Sequence, residues 1–203
     1  MITTIKPIET NFRGHKFRSR LEARWAVFFD CIGINWMYEY EGFELAPVKK
    51  EDEIYMGKQI EGQLFYLPDF LIPSQNLFPE DTYFEVKPTQ NLTLEESNKA
   101  SRLAYHSEIR CCILSSIPNP QHRDELFDLC RLEFQTFYPS GWDTQQCFCQ
   151  CPVCGRFGFA YEGRAARIKC GCDHNGKEKS NATSPELMRA YHIARTIRFE
   201  DFK

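Results

Sequence analysis

Residues 66–87, YLPDFLIPSQNLFPEDTYFEVK, constrain the fold of this chain more than any other stretch. Two short apolar runs flank the turn-rich segment PSQNLFPED, a layout that predicts adjacent strands. Period-2 geometry puts Tyr83, Glu85 and Lys87 on one face of the second strand, with Phe84 and Val86 on the other. Pro68 has no N–H for a ladder, so pairing must break, bulge or run along an edge just before Asp69. That break is expected to leave the Asp69 carboxylate free instead of buried. Three charges converging on otherwise apolar strands are costly unless a metal or substrate meets them. The rival reading is an ordinary cross-strand ion pair on a solvated face.

The flanking chain supplies a mixed α/β pattern. Residues 19–31, SRLEARWAVFFDC, carry Leu21, Trp25, Phe28 and Phe29 at helical spacing, with Gly33 as a stop. Glu22 has two mutually exclusive roles there: a capping-box partner reaching back to the Ser19 N–H, or an acid facing the site. Just before it, NFRGHKFR gathers Arg13, Lys16 and Arg18, with Arg20 and Arg24 following. Arg13, Lys16, Arg18 and Arg20 are the expected phosphate contacts; a solvated basic arm is the alternative. Residues 34–45 alternate as a strand or a bent pair that reads as the first core strand, with Trp36, Tyr38 and Tyr40 opposite Glu39 and Glu41, and residues 46–62 read as a long hairpin or loop. Residues 92–107 predict a crossover helix capped by Thr93 and Glu96, its Lys99 and Arg102 either solvated or facing substrate. A buried strand, RCCILSSIP, follows with Cys111 and Cys112 in the core, and residues 122–139 add a helix and an extended segment.

Pro68-Asp69, Glu85-Val86-Lys87 and Glu22 within RSRLEARWA together resemble the PD-(D/E)XK nuclease superfamily over roughly residues 17–115. The resemblance implies a restriction-endonuclease-like mixed sheet flanked by helices, and a metal-dependent DNA endonuclease of phage, mobile-element or defence origin. It implies that Asp69, Glu85 and the Val86 carbonyl hold Mg²⁺ or Mn²⁺, with Glu22 as a further ligand or orienting group. Lys87 then positions or deprotonates the attacking water, leaving a 5′-phosphate and a 3′-hydroxyl. DNA is the implied partner, acted on by the chain as a homodimer or with a partner protein. A non-catalytic nucleic-acid-binding or inhibitory protein that kept the fold is the alternative, and a structural RNA-binding zinc protein is a third.

Six of the ten cysteines crowd into residues 147–172. Cys151-Pro-Val-Cys154-Gly155 is a metal knuckle, and Cys170-Gly171-Cys172 follows after fifteen residues, with a hairpin predicted between them. This spacing resembles a zinc ribbon: a closed, structural Zn²⁺ site of four thiolates. His174 is an alternative to Cys172, and Cys147 and Cys149 are either alternative ligands or half-buried thiols. Beyond a polar loop, Ser184, Pro185 and Glu186 mark the start of a helix with an apolar stripe at Leu187, Ala190, Tyr191 and Ala194. Its Arg189, Arg195 and Arg198 suit a nucleic-acid face or a charged outer surface equally. The expected division is a nuclease core, 1–140, and a ribbon-like module with its helix, 141–203.

The net charge of −3 neither demands nor excludes DNA. Residues 141–203 carry ten Lys/Arg against seven Asp/Glu, while residues 1–140 carry fifteen against twenty-one, some of them carboxylates that a metal would neutralise. No apolar run approaches membrane-span length, and the N-terminus lacks the layout of a secretory signal, so a cytoplasmic protein without a membrane partner is expected.

Overall fold

The computed structural model describes residues 6–46, 64–89, 91–119, 134–161, 168, 170–172 and 181–201. The elements in the first half are β1 (Thr10–Phe12), β2 (His15–Phe17), α1 (Arg20–Cys31), β3 (Met37–Tyr38), β4 (Phe43–Leu45), β5 (Leu64–Tyr66), β6 (Phe70–Ile72) and β7 (Thr82–Val86). The second half holds α2 (Leu94–Ser107), β8 (Arg110–Leu114), β9 (Phe134–Phe137), β10 (Asp143–Gln150), β11 (Phe157–Tyr161) and α3 (Pro185–Thr196). A short 3₁₀ turn, Phe199–Asp201, follows α3. The predicted loop over 46–62, the helix ahead of β9, the hairpin tip at Gly163 and His174 lie wholly or mostly outside the described residues.

Seven strands form one mixed sheet in the order β11-β10-β9-β8-β7-β6-β3. β7 and β8 are its parallel pair, and α2 makes the crossover that a parallel connection requires. The helix starts where expected, with Thr93 and Glu96 closing a reciprocal capping box. β7 sends alternate side chains to opposite faces as its sequence dictates. Phe84 and Val86 enter the larger apolar cluster with α1 and α3, while Tyr83 enters the smaller one with Leu71, Ile113 and Leu103 of α2. Lys99 pairs with Glu95, but Arg102 is buried, not solvated: its guanidinium donates to the Leu45 carbonyl and ties α2 to the β4–β5 hairpin.

Where a strand or a bent pair is expected over 34–45, the chain takes two separate elements, β3 and β4. Glu39 takes a left-handed backbone, φ 45°, which ends β3 after two residues at the sheet edge and sends the chain to pair β4 with β5 in a separate small sheet. Pro68 acts as expected, separating β5 from β6, which lie in different sheets. The basic arm is itself a hairpin, β1 with β2, turned at Arg13 and Gly14, both at positive φ (47° and 78°). Its Phe17 is fully buried against Tyr38 and Phe70, which fixes the neighbouring Arg18 over β6.

The division placed at residue 140 falls between adjacent strands, because β9 pairs with β10. Phe148 of β10 lies against Trp25, Phe28, Phe29, Phe84 and Phe159, and Tyr191 of α3 stacks on Phe28 at 4.7 Å. Both parts share this apolar cluster. Phe148→Ala is therefore expected to cost about 3–5 kcal/mol, the range for a fully buried aromatic, and to lower the denaturation midpoint of the whole chain in one transition.

Candidate active site and candidate metal centre

The break at Pro68 directs Asp69 beside β7, where its Oδ2 accepts the Val86 N–H at 2.7 Å. Against the expectation that the break leaves it free, the carboxylate is only 2% exposed, with the Val86 N–H on one oxygen and Arg18 on the other. That contact, Arg18 Nη2 to Asp69 Oδ1, spans 2.6 Å, and Arg18 Nε pairs with Glu39 at 2.8 Å. Glu85 of β7 is 6% exposed; its Oε1 accepts from Lys87 Nζ at 2.7 Å, and among the described residues its buried Oε2 has no partner of hydrogen-bond geometry. Tyr66, the last residue of β5, stands near both acids: burial above all, then Cys111, Glu85 and Asp69, hold its hydroxyl protonated.

Glu22 does not face the choice its sequence posed. Ser19 caps α1 by accepting the Glu22 N–H, while the Glu22 carboxylate passes over the Ser19 N–H to accept that of Arg18 at 3.1 Å. It also accepts the Ser19 hydroxyl and the Tyr38 hydroxyl, each at 2.7 Å. From there its charge is felt at Asp69. Sequence reasoning missed Tyr38 and Tyr66 as members of this group. Only their inward register on β3 and β5 marks them, and that register depends on breaks at Glu39 and Pro68.

The electrostatics are those of acids crowded without enough positive charge. Burial first, then Glu85 and Glu22, push the Asp69 carboxyl well above its usual range, against the pull of the Val86 N–H and Arg18. Burial works against the Lys87 ammonium, but Glu85 and, beyond it, Asp69 outweigh that and raise its pKa. An acid whose folded pKa is raised contributes stability that is complete below its unfolded value, about 4, and is lost as pH rises through the folded value. Asp69→Asn is therefore expected to gain thermal stability relative to the wild type as pH rises across that window in cation-free buffer. An equal difference in melting temperature at every pH counts against it.

A hard divalent cation suits this group, since Glu85 Oε2 has no partner of hydrogen-bond geometry among the described residues and Arg18 does not offset the burial and neighbouring acids that hold Asp69 protonated. Their oxygens do not converge as tightly as the sulfurs described next, being held apart by Arg18, Lys87 and Tyr38. Among the basic residues, Arg13 pairs with Asp30 at 3.0 Å, Lys16 with Glu9 at 2.7 Å and Arg20 with Glu200 at 2.8 Å.

At the far end of β10, the sulfurs of Cys151, Cys154, Cys170 and Cys172 all lie within 4.8 Å of one another. Among the described residues this is the one such gathering of three or more His, Cys, Asp or Glu ligand atoms. Cys172 stands 3.7 Å from Cys151 and 3.4 Å from Cys170. Four thiolates about 2.3 Å from a zinc ion stand about 3.8 Å apart, so these sulfurs can hold a metal ion such as zinc. The Val153 and Cys154 N–H groups both point at Cys151 Sγ at 3.4 Å, in a turn that Gly155 completes at φ 72°. Burial opposes the Cys151 thiolate, but those N–H groups prevail and bring its pKa down to about 7. The Arg156 guanidinium donates to the Cys170 carbonyl and braces the second knuckle. Cys147 and Cys149 are fully buried in the apolar cluster beneath, 3.8 Å apart.

Compared with known proteins, the chain matches no family model, no curated protein and no solved structure.

Proposed function

We propose that this chain is a metal-dependent nuclease of restriction-endonuclease-like fold that hydrolyses phosphodiester bonds in DNA. The observation that carries the reading is the buried Glu85 carboxylate next to Asp69, with the Lys87 ammonium on one oxygen and no partner of hydrogen-bond geometry for the other among the described residues. A solvated cross-strand ion pair would not leave a carboxylate oxygen buried without such a partner.

Asp69, Glu85 and the Val86 carbonyl would hold Mg²⁺ or Mn²⁺, whose chemistry there is to acidify a bound water and offset charge on the phosphate. Lys87 holds its proton at Nζ, against Glu85, and presents a cation to the anion that develops at phosphorus. Glu22, fixed by Tyr38 and Ser19, adds negative charge that favours a cation at Asp69. The four cysteines would hold Zn²⁺ as a closed structural site that stiffens the end of β10. Arg13, Lys16 and Arg20 sit in exposed ion pairs of small worth, which they can exchange for DNA phosphates.

Among the described residues no helix is long and apolar enough to cross a membrane. The purified protein, incubated with Mg²⁺ or Mn²⁺ and a panel of duplex, branched and single-stranded DNA and RNA, is expected to cut at least one DNA form. Failure on every substrate would return the chain to the class of non-catalytic nucleic-acid-binding proteins.

A further inference from the structure

Both oxygens of Asp69 are taken, and the two donors differ in what it costs to move them. The Val86 N–H belongs to the backbone of β7 and cannot leave Oδ2 without moving the strand. The Arg18 guanidinium on Oδ1 ends a flexible side chain that is 55% exposed. Its backbone is anchored, since the Arg18 N–H is held by Glu22 and Tyr38. Its second partner, Glu39, is more exposed than Asp69 and sits on the left-handed residue whose N–H is tied to the Asp69 carbonyl at 2.9 Å. The guanidinium can therefore swing while the chain around it stays in place.

A guanidinium and a divalent cation cannot share one carboxylate oxygen without strong repulsion. Arg18 must leave Asp69 before Oδ1 ligates a cation. The planar fork then keeps only its partly exposed pairing with Glu39 among the ion pairs of the described residues, and it matches two oxygens of a phosphodiester. We propose that Arg18 is a phosphodiester-binding residue stored on Asp69: cation binding releases its guanidinium to the substrate, and substrate phosphate draws it off Asp69, so the two ligands promote each other's binding. This goes beyond an electrostatic phosphate contact of the hairpin, and it rests on the nuclease reading for the identity of the site. The coupling is reciprocal by linkage, of the several-fold to hundredfold size usual for such pairs.

The test is a Mn²⁺ titration of the full-length, zinc-loaded protein, read by the electron paramagnetic resonance of free Mn²⁺. Arg18→Ala is expected to bind at the Asp69-dependent site roughly tenfold more tightly than the wild type. Arg13→Ala, which removes the same charge from the same hairpin, is expected to stay within about twofold. Asp69→Asn identifies the site by abolishing it. Unchanged or weaker binding in Arg18→Ala, with a site present in the wild type, overturns the role given to Arg18 and leaves the nuclease reading standing. No Asp69-dependent site in any protein overturns both.

The phosphate half is read by anisotropy of a labelled DNA duplex without divalent cation. Asp69→Asn, which frees the guanidinium, is expected to tighten duplex binding several-fold, and the same substitution in an Arg18→Ala background is expected to gain much less. Equal gains in the two backgrounds mean that only the lost acidic charge matters, which overturns the handover to phosphate.

Discussion

If the proposed nuclease reading holds, Lys87→Ala is expected to reduce DNA cleavage by about 10²–10³-fold, the scale of one lost charge-stabilising donor at the reacting anion. The ammonium lies 2.7 Å from Glu85 and is 23% exposed, so it can face substrate without leaving its carboxylate. Alanine removes the cation and leaves a second Glu85 oxygen without its partner. Some loss of stability is therefore expected, and a denaturation curve must accompany the assay so that a folded, inactive variant is distinguished from an unfolded one. The turnover number should carry the loss, with KM changing little, because in the proposed mechanism Lys87 would act on charge that appears only in the transition state. Lys87→Arg keeps the charge but spreads it over a rigid plane and is expected to recover only a small fraction. A Lys87→Ala enzyme that stays folded and within tenfold of the wild type would remove Lys87 from the chemistry.

What could be read beforehand depended on how local the determinants were. The period of two in TYFEVK sorted Glu85 from Phe84 without any tertiary knowledge, and the caps at Ser19, Thr93 and Ser184 are one-turn signals that stand where the sequence put them. The four cysteines were legible for the same reason, since thiolates at knuckle spacing have few other uses. What was not legible locally concerns contacts between elements far apart in sequence. A run that alternates over 34–45 gives no sign that Glu39 will adopt a positive φ, because glutamate there is strained and is held by its N–H to Asp69 and its side chain to Arg18. The burial of Asp69 and Arg102 is likewise set by what closes over them. The division at 140 sets the cysteine module apart in sequence, while in the fold β9 pairs with β10 across it and Phe134 packs against Phe148.

The shared sheet gives the cysteine cluster a reach beyond its own knuckles, and its removal is the second large effect expected. Cys151 follows directly on β10, whose Phe148 lies in the core against Phe84 of β7, one residue from Glu85. Cys147, Cys149 and Cys151 bury their side chains in one small cluster with Ile168, Cys170 and Ala182, so loosening the knuckles exposes this whole end of β10. One zinc per chain is expected by elemental analysis of protein purified without chelator. Cys151→Ser is expected to drop that content toward zero, since serine is a poor ligand for a soft site and Cys151 is the sulfur to which two backbone N–H groups point. Losing a structural zinc site of this kind forfeits several kcal/mol of folding free energy. In a chain of 203 residues that corresponds to a melting temperature lower by on the order of 10 °C. Because β10 pairs with β9 inside the central sheet, the loss should appear as a downward shift of the single main transition, not as a separate early step. Zinc near zero in a protein with an unshifted transition would show that the four sulfurs are packed thiols; an early, separate transition would show that the end of β10 folds on its own.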